Sequence, residues 1–359
     1  MSAPASTPTS APTSTPKSTT PPRGRWLAPS TGDAAGRAGH GVAPVLATTG
    51  GTQVAGPHHP AAPQVTPRLP TPSGPGAPTQ RSYPDLSSRH SAPTWRSGTH
   101  LDEPNADSVR RAEQLATDRG RPFDVVAARL PVRTWADIAR PTSALSVLSR
   151  VPGRKVLEVP VLPESGGSLT SCAKGRYHGY WRQFAQAVEA NGLADAIIDL
   201  RPDTADLAAK NPAEYAACYR RVVQSLRSSQ PRMQTQWSVP RGIQPGQDPL
   251  LSWPGADVVT IVGVDAVDTG NDWGRTINGR YGLNWWADFA ARNGRQIALA
   301  RWGLFPGSAT SHTNAPYIQN MHDWLVRAQV RKQLAYEAFT APDDFTGAGP
   351  AVYRTLFSG

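Results

Sequence analysis

The sequence predicts an α/β protein, a (β/α)8 TIM barrel preceded by a long disordered Pro/Ser/Thr-rich segment. Three observations carry that expectation. Composition breaks sharply near residue 100, with 18 of the 36 prolines in the first hundred residues among dense Ser, Thr, Ala and Gly. Beyond the break, apolar runs of strand length alternate with segments of helical periodicity. The remaining stretch, residues 104–359, is 256 residues long, close to the ~250 typical of such a barrel. The expected domains are therefore a low-complexity basic arm over 1–103 and a barrel over 104–359.

The arm shows no sustained apolar periodicity. A chain of that composition cannot bury enough apolar surface to offset the entropy of ordering it. The net charge of +10 is concentrated there. Eight of the 37 Lys/Arg and two of the 27 Asp/Glu lie in residues 1–100, which leaves 29 basic and 25 acidic residues in the remainder. Scattered single arginines are not a polybasic block, so a solvated linker is the plainer reading and no nucleic-acid partner is expected. The first residues, "MSAPASTPTS", lack the basic and apolar regions of a secretory signal. No 18-residue apolar run occurs, so no membrane span is expected.

The elements follow in order. "RPFDVVAARL" (121–130) opens the series, and "KVLEVPVL" (155–162) is a strand by its length and β-branching. "YHGYWRQFAQAVEANG" (177–192) has helical spacing and ends on Asn-Gly, a helix stop. "DAIIDLRPD" (195–203) is the next strand, and "PAEYAACYRRVVQSLRSS" (212–229) a helix with proline at its first turn. After these come the strand "MQTQWSV" (233–239), the apolar strand "DVVTIVGVDAVD" (257–268) and the helix "GLNWWADFAARNG" (282–294). The strand "QIALARWGLF" (296–305), the helix "APYIQNMHDWLVRAQ" (315–329), the strand "KQLAYEAF" (332–339) and a C-terminal segment close the series. Buried strands alternating with helices call for a parallel sheet covered by helices. No Gly-rich dinucleotide or phosphate loop follows any strand, which favours the closed barrel over an open sheet.

In a barrel the site lies at the C-terminal ends of the strands, which points to Asp203, Trp237, Asp265, Asp268 and Arg301. Cys172 and Cys218 show no metal-ligand spacing; a single disulfide and two free thiols are both open readings. His178, His312 and His322 are scattered, so neither a metal nor a cofactor is expected.

From about "RPFDVVAARLPVRTWADIA" to "AYEAF" the chain resembles glycoside hydrolase family 26, the β-mannanase-type retaining glycosidases, in their actinobacterial form. Trp135, "GRYHGYWRQFAQAVEANGLADAIIDL", "QTQWSV", "WPGADVVTIVGVDAVD" and "GLNWWADFAARNGRQIALARWGLF" carry the likeness in order and spacing. The resemblance implies a general acid/base at the position of Asp203 and a nucleophile at the position of Arg301. In the family both are glutamates. The family's "IIRLGWE" stands here as "IIDLRPD", its "LPEWG" as "LARWG", and a tyrosine of "GLDVYD" as Val267.

Retaining hydrolysis needs two carboxyl groups about 5–5.5 Å apart. Arginine cannot attack an anomeric carbon, since it stays protonated and only donates. Loss of a nucleophile costs on the order of 10⁶ in turnover in a well-measured hydrolase. The expectation is therefore a barrel with impaired chemistry that binds a polysaccharide or cell-surface glycan, or serves as a structural recognition module. Two alternatives stand beside it: an endo-glycosidase on a mannan-like or wall polysaccharide using Asp203 with Asp265 or Asp268, and a non-glycan scaffold of a larger assembly such as a virion. Trp237, Trp273 and Trp302 are candidate sugar platforms. Strand alternation places Asp199, Arg201 and Asp203 on one face. Because the family resemblance puts arginine at the position of Asp199 and glutamate at that of Arg301, the two charges look exchanged, and Arg301 is expected to pair with Asp199 or Asp203. An extracellular or virion-associated location suits this reading, though with no signal sequence a cytoplasmic one stays open.

Overall fold

A computed structural model of the chain describes residues 95–201, 205–242, 248–268, 270, 272–304, 314–327, 333–341 and 348–358. Eight strands close a parallel barrel in chain order: β1 (Ser97–Leu101), β2 (Val125–Arg129), β3 (Arg154–Pro160), β4 (Ile197–Arg201), β5 (Gln234–Pro240), β6 (Ile261–Asp268), β7 (Gln296–Leu304) and β8 (Leu334–Thr340). Ser97 of β1 pairs with Glu337 of β8, which seals the ring and removes every free edge.

The helices between the strands are α1 (Ala106–Asp118), α2 (Trp135–Ala139), α3 (Thr142–Leu148), α4 (Leu169–Ala173), α5 (His178–Ala190), α6 (Ala205–Lys210), α7 (Pro212–Ser229), α8 (Trp273–Asn278), α9 (Leu283–Arg292), α10 (Ala315–Val326) and α11 (Ala348–Phe357). A 3₁₀ turn spans Pro249–Ser252. Local chemistry fixes several of the starts. Asn105 and Ser108 form a capping box at α1, Thr134 and Asp137 form one at α2, and Pro212 opens α7.

Two layers of apolar packing result. Between strands and helices lies the larger core, including Leu157, Leu200, Val262, Leu299, Phe184, Val222 and Trp286. Inside the barrel, Val125, Ala127, Val156, Ile197, Ile261, Ala298, Tyr336 and Ala338 form a separate plug. The plug identifies the inward phase of each strand, and hence which side chains reach the C-terminal mouth.

The first strand starts earlier than the expected boundary at 103/104. "SGTHL" reads as arm because Ser97, Gly98, Thr99 and His100 are not apolar, yet all are buried. Position 98 calls for glycine because a Cβ would meet the Val125 carbonyl oxygen at 2.6 Å. Residues 1–94 of the expected arm lie outside the described residues.

Cys172 of α4 and Cys218 of α7 are joined by a disulfide, with Cα atoms 4.9 Å apart and a sequence separation of 46. This decides between the two readings of the cysteines. Cross-linking a loop of that length restricts the unfolded chain, and breaking it costs about 2–4 kcal/mol. The Cys172→Ser/Cys218→Ser variant should unfold at correspondingly lower urea than the wild type. Equal midpoints would show that the bond contributes nothing.

Candidate functional site

The inward phase set by the plug brings a ring of ionised and polar residues to the mouth. β1 supplies His100, with Asp102 just beyond it; β2 and β3 supply Arg129 and Glu158; β4 supplies Asp199 and Arg201. β5, β6 and β7 supply Gln236 with Ser238, Asp265 and Arg301, and Tyr336 of the plug on β8 lies beneath them.

Arg201 organises this ring. Its Nη1 and Nη2 donate to Asp265 Oδ2 and Oδ1 at 2.5 and 3.0 Å, a bidentate pair. Its Nε donates to Asp199 Oδ2 at 2.9 Å and lies 3.4 Å from Glu158 Oε2. One guanidinium thus faces three carboxylates. Burial alone would favour losing its proton, but Asp199, Asp265 and Glu158 together hold its pKa well above the ordinary value.

The two buried acids respond in opposite directions. Burial tends to raise Glu158, but the Arg201 charge, the His100 contact at 3.2 Å and Arg129 hold it well below the usual carboxylate range. Burial dominates at Asp199, which is 2% exposed, and lifts it to about 6 against the pull of Arg201. The Glu158 and Asp265 charges assist that rise. A chain of hydrogen bonds supports Asp199 from below. Tyr336 donates to Gln236 at 2.8 Å, Gln236 to Ser238 at 3.0 Å, and Ser238 to Asp199 Oδ1 at 2.8 Å. Gly263 on β6 leaves room for it, since a Cβ there would lie 2.1 Å from Ser238 Oγ.

Arg301 reaches the mouth through a bulge. Val264 pairs with Leu299, but Asp265 pairs with Arg301, so Ala300 is the extra residue. Ala298 lines the plug, and strict alternation from it would put Ala300 inside. The bulge instead brings Arg301 level with Asp265, its side chain 18% exposed and its Nη1 3.6 Å from Asp102 Oδ1.

The expected charge pair is therefore different in its Asp199 half. Asp199 is held by Arg201, two residues along the same face, and by Ser238. Asp203 lies outside the described residues.

Two tryptophans expected as platforms are core residues. Trp302, 0% exposed, points outward against Phe339 and Phe357 and donates its indole N–H to Glu337. Trp237 is enclosed by Trp253 and Trp286, with ring centroids at 5.0 and 5.9 Å. Asp268 is buried on the outward phase of β6, accepting from the Gly270 N–H and from Asn314 Nδ2 at 2.6 Å. It ties a loop to the start of α10 and is not disposed to act on a ligand in the mouth. Trp273 opens α8, half-buried and edge-on to Tyr317.

Glu158, His100, Arg129, Asp102 and Ser238 escaped the sequence reading. Glu158 had a signal: it is the one charge inside "LEVPVL", the same oddity that marked Arg301. His100 had none, because the segment around it looked like arm. Among the described residues, no group of three or more His, Cys, Asp or Glu is placed to hold a metal ion.

No protein-family model matches the chain, and no curated protein matches it in sequence. Solved structures do match in fold. An engineered protein superposes with a TM-score of 0.56 at 16% identity, covering 74% of this chain and 70% of its own. Two structures of the endo-β-1,4-mannanase of Cellulomonas fimi superpose at 0.55 and 16% identity, covering 74% of this chain and 71% of theirs. One is a double mutant; the other is described as a modular enzyme that explains the product specificity of glycoside hydrolase family 26 mannanases. The architecture is thus a (β/α)8 barrel. More narrowly, its fold is similar to that of the glycoside hydrolase family 26 mannanases.

Removing the central cation leaves two buried carboxylates, Glu158 and Asp199, and the part-buried Asp265 facing one another. Arg201→Met should destabilise the protein by about 3–5 kcal/mol at pH 7.5 in urea unfolding, with part of the loss recovered near pH 5 as carboxylates take up protons. An unchanged midpoint would contradict the central role of Arg201.

Asp199 gives a second check. With its folded pKa raised, the native state binds more protons than the unfolded chain between about pH 4 and 6. Its contribution is present at low pH and declines as pH rises through that window. The stability difference, wild type minus Asp199→Asn, should therefore shrink from pH 4 to pH 6.5. A difference that grows with pH would mean that Asp199 is readily ionised in the fold.

Proposed function

We propose that this barrel binds a polysaccharide or cell-surface glycan without hydrolysing it. The observation that carries the reading is the state of the carboxylates at the mouth: Arg201 engages Asp199, Asp265 and Glu158 together. A carboxylate clamped by a guanidinium is a poor nucleophile. One buried behind it cannot protonate a leaving oxygen that never reaches it. The inward position on β7, where the family resemblance places the nucleophile, holds Arg301, which can only donate hydrogen bonds. Hydrogen-bond donors and acceptors around a recess are still what a sugar's hydroxyl groups require. Trp273, half-buried at the start of α8, is the candidate ring.

The disulfide suits an oxidising compartment, which supports placing the protein outside the cell or on a virion. Among the described residues no helix is long and apolar enough to cross a membrane.

The test pairs release with binding. Galactomannan and solubilised actinobacterial wall polysaccharide are incubated with the protein and assayed for new reducing ends, and the same polymers are cast into gels for affinity electrophoresis. Retardation without release is expected, weakened about 5–10-fold by Trp273→Ala, in line with the roughly 1 kcal/mol typical of a ring contact. Release that disappears in Asp203→Ala or Asp265→Asn would establish a glycosidase instead. Neither release nor retardation would overturn the glycan reading in favour of a scaffold.

A further inference from the structure

The rim of the barrel beside β2 and β3 carries an aromatic stack that none of the site residues above explains. Trp135 opens α2, directly after the loop that leaves β2, and Tyr177 and Tyr180 stand at the start of α5, after the loop that leaves β3. The indole of Trp135 lies nearly parallel to the Tyr180 ring, with centroids 4.9 Å apart and planes 17° apart. Tyr177 packs on the same indole at 4.2 Å.

Trp181, Trp237, Trp286, Trp302 and Trp324 are each under 2% exposed. Tyr180, by contrast, is 39% exposed, off the face of α5 that buries Trp181, Phe184, Ala185 and Val188.

The stack is rigid. Gly167 has φ +117°, and a Cβ there would sit 3.3 Å from Trp135 Cζ2 and 3.5 Å from Tyr177 Oη. The Ser168 N–H donates to Tyr177 Oη at 3.2 Å. The loop backbone thus closes around one end of the stack and leaves the Tyr180 end to solvent. A fixed, exposed aromatic face loses little freedom on binding. It also lies on the side of the barrel where strands end and helices begin, the side on which barrels hold their ligands. The two strands that lead to it also deliver Arg129 and Glu158 to the mouth.

We propose that the Trp135–Tyr177–Tyr180 stack is a glycan-binding platform, with the exposed Tyr180 ring taking the apolar face of a pyranose unit in a polysaccharide that extends from the barrel mouth across the β2–β3 rim. This rests on the glycan-binding reading above and assigns it a second contact, away from the ionic ring.

The experiment is affinity electrophoresis of the full chain in galactomannan and in solubilised actinobacterial wall polysaccharide. Wild type, Tyr180→Ala, Tyr180→Phe and Trp273→Ala are compared, with thermal unfolding run in parallel. Tyr180→Ala should bind about 5–20-fold more weakly with its melting temperature within a degree or two of the wild type, and Tyr180→Phe should keep at least half of the affinity. Wild-type binding that Tyr180→Ala leaves unchanged overturns the platform and leaves the glycan reading standing. Equal weakening by Tyr180→Ala and Tyr180→Phe also overturns it, since a stacking ring would have been kept in one of them. A wild type that binds neither polymer overturns both.

Discussion

Everything at the mouth of this barrel depends on the charge of Arg201. It is buried among Asp199, Asp265 and Glu158, and a buried cation or anion without a partner costs several kcal/mol. The three carboxylates come from three strands, β3, β4 and β6, so the guanidinium acts as a tie across the barrel. The hydrogen bonds beneath it extend that tie to β5 and β8 through Ser238, Gln236 and Tyr336. The mouth is thereby held in one arrangement.

This constraint separates fold from chemistry. The plug of Val, Ile and Ala side chains beneath the ring and the helix-facing core around it are what a (β/α)8 barrel needs to stand. Neither depends on which charges occupy the mouth. The same barrel fold can therefore stand at 16% identity to the Cellulomonas fimi mannanase. Above that framework the mouth presents its charged and polar groups, and the rim beside β2 and β3 an exposed aromatic ring.

Much of the fold was legible because alternation and periodicity are local. Strands such as "KVLEVPVL" and helices such as "PAEYAACYRRVVQSLRSS" announce themselves by spacing, and they fall where the barrel has β3 and α7. β1 was not legible, since its five residues are buried for reasons supplied by β2, β8 and Glu158, not by their own hydrophobicity. The site was half legible. An isolated charge in an apolar run flagged Arg301, and inward alternation placed Asp199 and Arg201 on the interior face. Pairing was not, because Arg201 meets Asp265 only when β4 and β6 are set on either side of β5 in the closed ring.

By itself the sequence determined the barrel, the order of its strands and the isolated charge of Arg301 in an apolar run on β7. Tertiary structure decided where that charge sits. A bulge at Ala300, invisible to any alternation rule, turns Arg301 inward and sends Trp302 out to pack on Phe339 and Phe357. Closure of the ring decides which carboxylate each cation meets, and the docking of α4 on α7 decides that Cys172 and Cys218 bond. The physical reason is the same in each case. Burial and periodicity are written residue by residue, whereas the partner of a charge or a thiol depends on elements far apart in the chain.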